Sequence, residues 1–203
     1  YVGDTLYTLP LVNVNNASGD PAEFHVTLQN LVVSVNKTNT TITSDRYAAL
    51  LNTGAIVTYL PTNLFSDFIK KIGLSESQKY YGMYITDCSS GISFSYDFGG
   101  FKIESSLNDY LFEIDESEIP GAKCAVTINS HDEKYLVLGS GFFSSAYAVF
   151  DLERLEVSIA QAAHVHDNFT YSNIEDNPSV EIVIDSIPSA TKAASYSNTW
   201  AFD

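Results

Sequence analysis

Ala48-Ala49-Leu50-Leu51-Asn52-Thr53-Gly54-Ala55-Ile56-Val57-Thr58-Tyr59-Leu60-Pro61 is the stretch on which the fold turns. An apolar segment from Tyr47 to Leu51 runs into Asn52-Thr53-Gly54, and a second, from Ile56 to Leu60, leaves it. Two short apolar runs around a polar, glycine-containing break predict two buried strands joined by a tight loop. Pro61 then stands where a first helical turn tolerates it. Leu64, Phe65, Phe68, Ile69 and Ile72 recur at helical spacing until Gly73, so a helix is predicted over 61–72.

Outward from this stretch the pattern is that of strands. Leu6 to Val14 and Phe24 to Val35 read as a long hairpin, and shorter strands are expected at 80–86, 92–96, 98–103 and 124–128. The acidic stretch Glu113 to Glu118 reads as a solvated loop between them. Tyr135-Leu136-Val137-Leu138-Gly139 is a continuous apolar run closed by glycine, the mark of a buried central strand. After a short turn at 141–146, Tyr147 to Asp151 and Leu155 to Gln161 suggest a closing hairpin. The compact part is placed at 1–165, followed by a polar tail, 166–203. Val180, Ile182, Ile184 and Ile187 are spaced to add a strand at 179–187. No period of 20–50 residues repeats, which disfavours solenoids and propellers.

Composition agrees. In 203 residues there are 13 Tyr and 12 Phe beside many Val, Ile and Thr, side chains that pack on a pleated, half-buried surface. A chain of this length buries roughly 70% of its unfolded surface, enough for a real core. Acidic residues outnumber basic ones 25 to 10, for a net charge of −15. That field repels phosphates and anionic headgroups, so nucleic acid is excluded as a partner and cationic partners are favoured. A solubilising surface accounts for the charge equally well. With no initiator Met, no signal-peptide pattern and no apolar run near 20 residues, a mature or excised soluble segment is expected, with no membrane span.

Two cysteines, Cys88 and Cys124, and four Asn-x-Ser/Thr sequons, at Asn16, Asn36, Asn39 and Asn168, suggest passage through an oxidising, glycosylating compartment. Paired, the cysteines would close a loop of 35 intervening residues.

The segment 48–61 resembles the second active-site loop of pepsin-like aspartic proteases, in which an apolar strand leads to Asp-Thr/Ser-Gly-Thr/Ser and a helix follows. Tyr7-Thr8-Leu9-Pro10-Leu11-Val12 is similar to the strand that opens the C-terminal lobe of fungal secreted and yapsin-type members. Phe150-Asp151-Leu152 and Ser158-Ile159-Ala160-Gln161-Ala162 resemble the closing hairpin. Ile187-Pro188-Ser189-Ala190 and Tyr196-Ser197-Asn198-Thr199 resemble the segment before the lipid-anchored stalk of yapsins. The resemblance implies an all-β, single pepsin-like lobe with one or two short helices, a Cys88–Cys124 disulfide, a secreted or cell-wall location, and neither cofactor nor metal.

In that family each of two lobes presents one aspartate. The two carboxylates share a proton because like charges so close cannot both ionise; the ionised member activates water and the protonated one polarises the scissile carbonyl. Here Asn52 occupies the aspartate position, followed by Thr53, Gly54 and Ala55. An amide neither titrates near neutrality nor takes a proton from water. Ala55 stands where the family has a Ser or Thr hydroxyl to support the carboxylate, and Ser140 follows Leu138-Gly139 where fungal relatives carry Leu-Gly-Asp. Three departures around one site fit natural decay better than a single introduced substitution. Thr53 and Gly54 keep structural uses, bracing the loop against a partner lobe and permitting a tight turn.

No second Asp-Thr-Gly or Asp-Ser-Gly occurs in these residues; Asp4-Thr5 is followed by Leu6. The expected partner is therefore an N-terminal protease lobe or a self-associating copy. Two weaker patterns accompany the loop. His164-Val165-His166-Asp167 places two imidazoles on one strand face, which more readily describes an exposed tail than a metal site. Asp109-Tyr110 with Asp115, Glu116 and Glu118 could line a cleft for basic peptides or form a plain solvated loop. Three functions follow from the whole: a non-catalytic protease-like lobe retained for binding or wall structure, a subunit or inactivated form of an aspartic endopeptidase that cleaves after basic residues, and an adhesin or wall-structural module.

Overall fold

The computed structural model describes residues 5–14, 20–115, 117–119, 123–162 and 191–192. In chain order the strands begin with β1 (Tyr7–Pro10), β2 (His25–Leu28), β3 (Asn30–Val35), β4 (Thr38–Thr43), β5 (Tyr47–Leu51) and β6 (Thr58–Pro61). Helix α1 (Thr62–Lys71) follows, then β7 (Lys79–Tyr80), β8 (Met83–Asp87), β9 (Ser93–Asp97), β10 (Lys102–Ser106), β11 (Leu111–Glu113), β12 (Lys123–Val126) and β13 (Ile128–His131). The described elements end with β14 (Leu136–Leu138), α2 (Ser140–Phe143), β15 (Ala146–Asp151), β16 (Glu156–Gln161) and β17 (Thr191–Lys192).

These strands form four sheets among the described residues, ordered β15-β16-β1-β17, β10-β9-β3-β4, β11-β12-β8-β7 and β13-β6-β14-β5-β2. The last positions the site. Strands β5 and β6 flank β14, which runs parallel to β5, with Leu138 opposite Leu51, and antiparallel to β6, with Val137 opposite Tyr59. The loop joining β5 to β6 thus straddles a third strand contributed from about eighty residues downstream. Leu136 and Leu138 are fully buried and Val137 between them is half-buried, so one face of this central strand is sealed and the other partly covered. This strand-rich lobe with its two short helices is the pepsin-like architecture that the sequence implied.

Helix α1 runs from Thr62 to Lys71, one residue inside each predicted bound, with Pro61 as its N-cap and Ile72 as its C-cap. Leu64, Phe65, Phe68 and Ile69 form its buried stripe. Gly73, at φ 80°, reverses the chain, and Leu74 N–H reaches back to Ile69 O at 3.1 Å. That left-handed cap is one glycine adopts without strain. Lys70 and Lys71 occupy the last turn, where cations oppose the helix dipole.

The long hairpin expected from Leu6–Val14 and Phe24–Val35 does not form. Strand β1 pairs with β16 and β17, and the second run splits at Gln29. Its first part, β2, is buried at every residue and joins β5; its second, β3, alternates and joins β4 and β9. A two-sided strand and a one-sided strand cannot continue in one sheet, so the division follows from burial.

Smaller corrections share a cause. Tyr81 (φ 47°) and Gly82 (φ 82°) turn the 80–86 run into the β7–β8 hairpin. Gly99 and Gly100, at φ 80° and 121°, make 98–101 a turn, so β10 starts only at Lys102. The 124–128 run breaks at Thr127 into strands of two sheets. Glu113 belongs to β11, opposite Cys124, and not to the acidic loop, while 140–143 is helix rather than turn. Strand β17 pairs in parallel with Tyr7 and Thr8; the strand expected at 179–187 lies outside the described residues, as do Asn16, Glu116, Asn168 and the His164–Asp167 segment.

The core gathers Phe68, Phe94, Tyr96, Phe98, Tyr110 and Phe142, all essentially inaccessible. Their rings meet edge-on or tilted, Tyr96 on Phe142 at 5.3 Å and Phe94 on Tyr110 at 5.4 Å, the arrangement aromatic quadrupoles favour. Cys88 and Cys124 form a disulfide, Cα atoms 5.0 Å apart.

Candidate active-site loop

Strand β5 ends by delivering Asn52 to the mouth of the loop. Its backbone N–H donates to Leu138 O at 3.1 Å, extending the β5–β14 pairing by one residue. The carboxamide oxygen accepts the N–H of Gly54 at 3.0 Å, and the Ala55 N–H donates to Asn52 O at 3.2 Å. This is an Asx-type turn, in which an Asn or Asp side chain satisfies a backbone donor two residues on. Since an N–H must meet an acceptor, the oxygen and not the NH2 group faces Gly54.

The 138–140 segment closes on the loop from the other side. Gly139 N–H donates to Thr58 Oγ1 at 3.1 Å, Ser140 N–H to Ala55 O at 2.8 Å, and Ser140 Oγ to Ile56 O at 3.0 Å. A Cβ on Gly139 would lie 2.6 Å from Ala55 O and 2.8 Å from Val57 O. Only glycine fits because two backbones cross there without room for a side chain. Asn52, Thr53, Gly54, Ala55, Leu138, Gly139 and Ser140, separated by more than eighty residues in sequence, are therefore one assembly. Asn52 and Ala55 are half-buried; Thr53, Gly54 and Ser140 are exposed.

Behind the assembly, α2 rests on the Tyr110 ring, which leaves no space for a Cβ at Gly141, the nearest ring carbon being 2.4 Å away. Tyr110 OH bonds Tyr96 OH at 2.9 Å, and Ser145 Oγ bonds both Ser105 Oγ and Asp109 Oδ2 at 3.0 Å. Burial pushes both phenols well above their ordinary range, so they act only as fixed hydrogen-bonding groups. Asp109, weighed from sequence as a cleft residue, instead ties α2 to the turn after β10, accepting also from Ser106 N–H at 3.1 Å.

The roles of two members of this arrangement escaped the sequence reading. Thr58 is the lone aliphatic hydroxyl in the run Ile56–Leu60 and is fully buried; a small polar side chain in such a run was the available signal. Tyr110, weighed with Asp109 as a cleft residue, is instead fully buried, and nothing local signalled its packing against Gly141, which is distant in sequence.

Residues 52–57 and 138–141 contain no titratable side chain. The loop can donate and accept hydrogen bonds, but it cannot exchange a proton with water near neutral pH. Among the described residues, no group of three His, Cys, Asp or Glu is placed to hold a metal ion, and no helix is long and apolar enough to cross a membrane.

Comparison with known proteins bears on this geometry directly. The eukaryotic aspartyl protease family profile matches residues 1–162. Three Saccharomyces cerevisiae yapsins match nearly the whole chain. Aspartic proteinase 3 is 38% identical over 99% of this chain and 33% of its own length; aspartic proteinase MKC7 is 36% identical over 99% and 33%. Aspartic proteinase yapsin-3 is 36% identical over 97% of this chain and 37% of its own. The chain thus spans about a third of the length of the curated relatives it matches. With the loop crossed by β14 and the profile covering every described strand but the last, the chain belongs to the eukaryotic aspartyl protease family and resembles its yapsins.

Proposed function

We propose that this chain is a non-catalytic, yapsin-like aspartic protease lobe of the fungal cell surface, retained for binding peptide or protein or for wall structure. The observation that supports the reading is the Asn52 carboxamide oxygen accepting Gly54 N–H, at the position that the resemblance assigns to the family's aspartate. An amide supplies no general base, a contribution worth about 10²–10⁴-fold in rate on its own and more when a coupled pair is broken. Ala55 adds no hydroxyl, and Ser140 uses its own on Ile56 O. The disulfide and the sequons support a secreted or cell-surface location. Ile56, 72% exposed at the rim of the loop, is apolar surface suited to cover by an N-terminal protease lobe or a second copy.

A second reading is favoured by the intact backbone around residue 52. A carboxylate there would accept the same Gly54 N–H, so the loop equally suits the subunit of an aspartic endopeptidase that cleaves after basic residues, with one group exchanged.

The test is peptide cleavage at acid pH by the full-length protein, with Lys- and Arg-containing peptides. The natural sequence is expected to bind without cleaving, and Asn52→Asp with Ala55→Thr is expected to remain silent. Restored cleavage by the double variant selects the second reading; turnover by the unmodified protein overturns both.

A further inference from the structure

The outer face of the β10-β9-β3-β4 sheet carries a polar groove that no part of the active-site loop touches. The register places Ser34 opposite both Asn39 and Ser93, and Ser95 opposite Glu104. These residues alternate with the buried Leu31, Val33, Phe94, Tyr96 and Ile103, so they share the solvent side of the sheet. The groove holds about 330 Å³, the low end of the roughly 300–1,000 Å³ typical of small-molecule sites and room for one sugar ring rather than a chain.

Asn39 is exposed, opens the sequon Asn39-Thr40-Thr41, and lines this groove. Asn36, first residue of the neighbouring sequon, does not line it. Asn36 and Lys37, at φ 51° and 63°, form the apex of the β3–β4 turn, beyond the last paired residues, Val35 and Thr38. The two sequons therefore differ in what surrounds them.

We propose that Asn39 carries an N-linked glycan whose first N-acetylglucosamine lies in this groove. Attachment forms a bond from Asn39 Nδ2 to C1 of the reducing-end sugar of an oligosaccharide borne on a lipid diphosphate. The C1–O bond to the diphosphate breaks, the diphosphate leaves with the electron pair, and Nδ2 loses one proton. The groove supplies what that sugar needs. Val32 offers an apolar floor for a pyranose face, and the Ser34 and Ser93 hydroxyls stand beside it. Lys102 can donate to ring hydroxyls or to the acetamido carbonyl, while Glu104, which accepts Ser95 Oγ at 2.7 Å, presents a carboxylate to its N–H. Tethering makes weak contacts sufficient: a short linker gives an effective concentration of about millimolar, which fills a site of about millimolar affinity.

The full chain secreted from a eukaryotic host tests this by glycopeptide mass spectrometry and by endoglycosidase trimming before and after denaturation. Asn39 is expected to be occupied, with trimming at least ~10-fold slower in the native protein than after denaturation. Ser95→Leu, which fills the groove, is expected to leave occupancy unchanged and remove most of that protection; Lys102→Ala is expected to reduce it. An unmodified Asn39, or equal trimming rates in native and denatured protein, overturns the proposal.

Discussion

Thr58 Oγ1 accepts the Gly139 amide across 81 residues of sequence, in a place closed to water. With Ser140 Oγ on Ile56 O, it is one of two side-chain bonds that fix the crossing segment to the far limb of the loop. Thr58→Val keeps the shape and removes the acceptor, so the buried N–H is left unsatisfied, at a cost of about 1–3 kcal/mol. Thr58→Ser keeps the oxygen. Amide exchange separates the two: Gly139 is expected to exchange faster in the valine variant and to stay protected in the serine variant.

Gly139→Ala tests the close crossing itself. The added methyl would meet two backbone carbonyl oxygens under 3 Å away, and backbone cannot swing aside as a flexible side chain does. A loss of about 3 kcal/mol or more is expected, read as a lower denaturant midpoint. An unchanged midpoint would show that the strands do not cross as described.

The disulfide joins β12 to the residue just after β8. Its sequence separation of 36 corresponds to roughly 3–4 kcal/mol of chain-entropy stabilisation. Replacing Cys88 and Cys124 together by Ala is expected to lower the unfolding temperature by several degrees, with the loop at 52–57 unaffected in its exchange pattern.

Acid sensitivity is expected from His25. It is 2% exposed, its Nε2 has no partner, and its ring packs edge-on against Tyr135 at 4.9 Å. Burial lowers its pKa, partly opposed by the Glu23 carboxylate 3.7 Å from Nδ1. The unfolded chain therefore takes up the proton first, near the ordinary value of about 6.5. Stability from this residue is full above that pH and declines as pH falls toward the depressed folded value, below which it changes no further. His25→Leu is expected to flatten stability against pH over that interval; an unchanged slope assigns the dependence to other groups.

The helix over 61–72 was legible because its signals are local: a proline at the start, a 3.6-residue apolar repeat, and a glycine at the end. The β14 run was legible for the same kind of reason, since an unbroken apolar segment closed by glycine marks a central strand, here with Leu136 and Leu138 sealed and Val137 half-buried. The split at Gln29 and the fate of β1 were not. Periodicity says that a residue is buried, but not against which strand, and partners such as Val157 and Ile159 for β1 lie about 150 residues away.

The covalent sequence by itself determined the chemistry of residue 52, because whether a side chain can carry a proton depends on its atoms before any folding. Tertiary structure alone decided that Asn52, Thr58 and Gly139 form one assembly and that Asn39, unlike Asn36, borders a groove. Those facts come from sheet register and backbone crossing, which are fixed when distant segments compete for the same core.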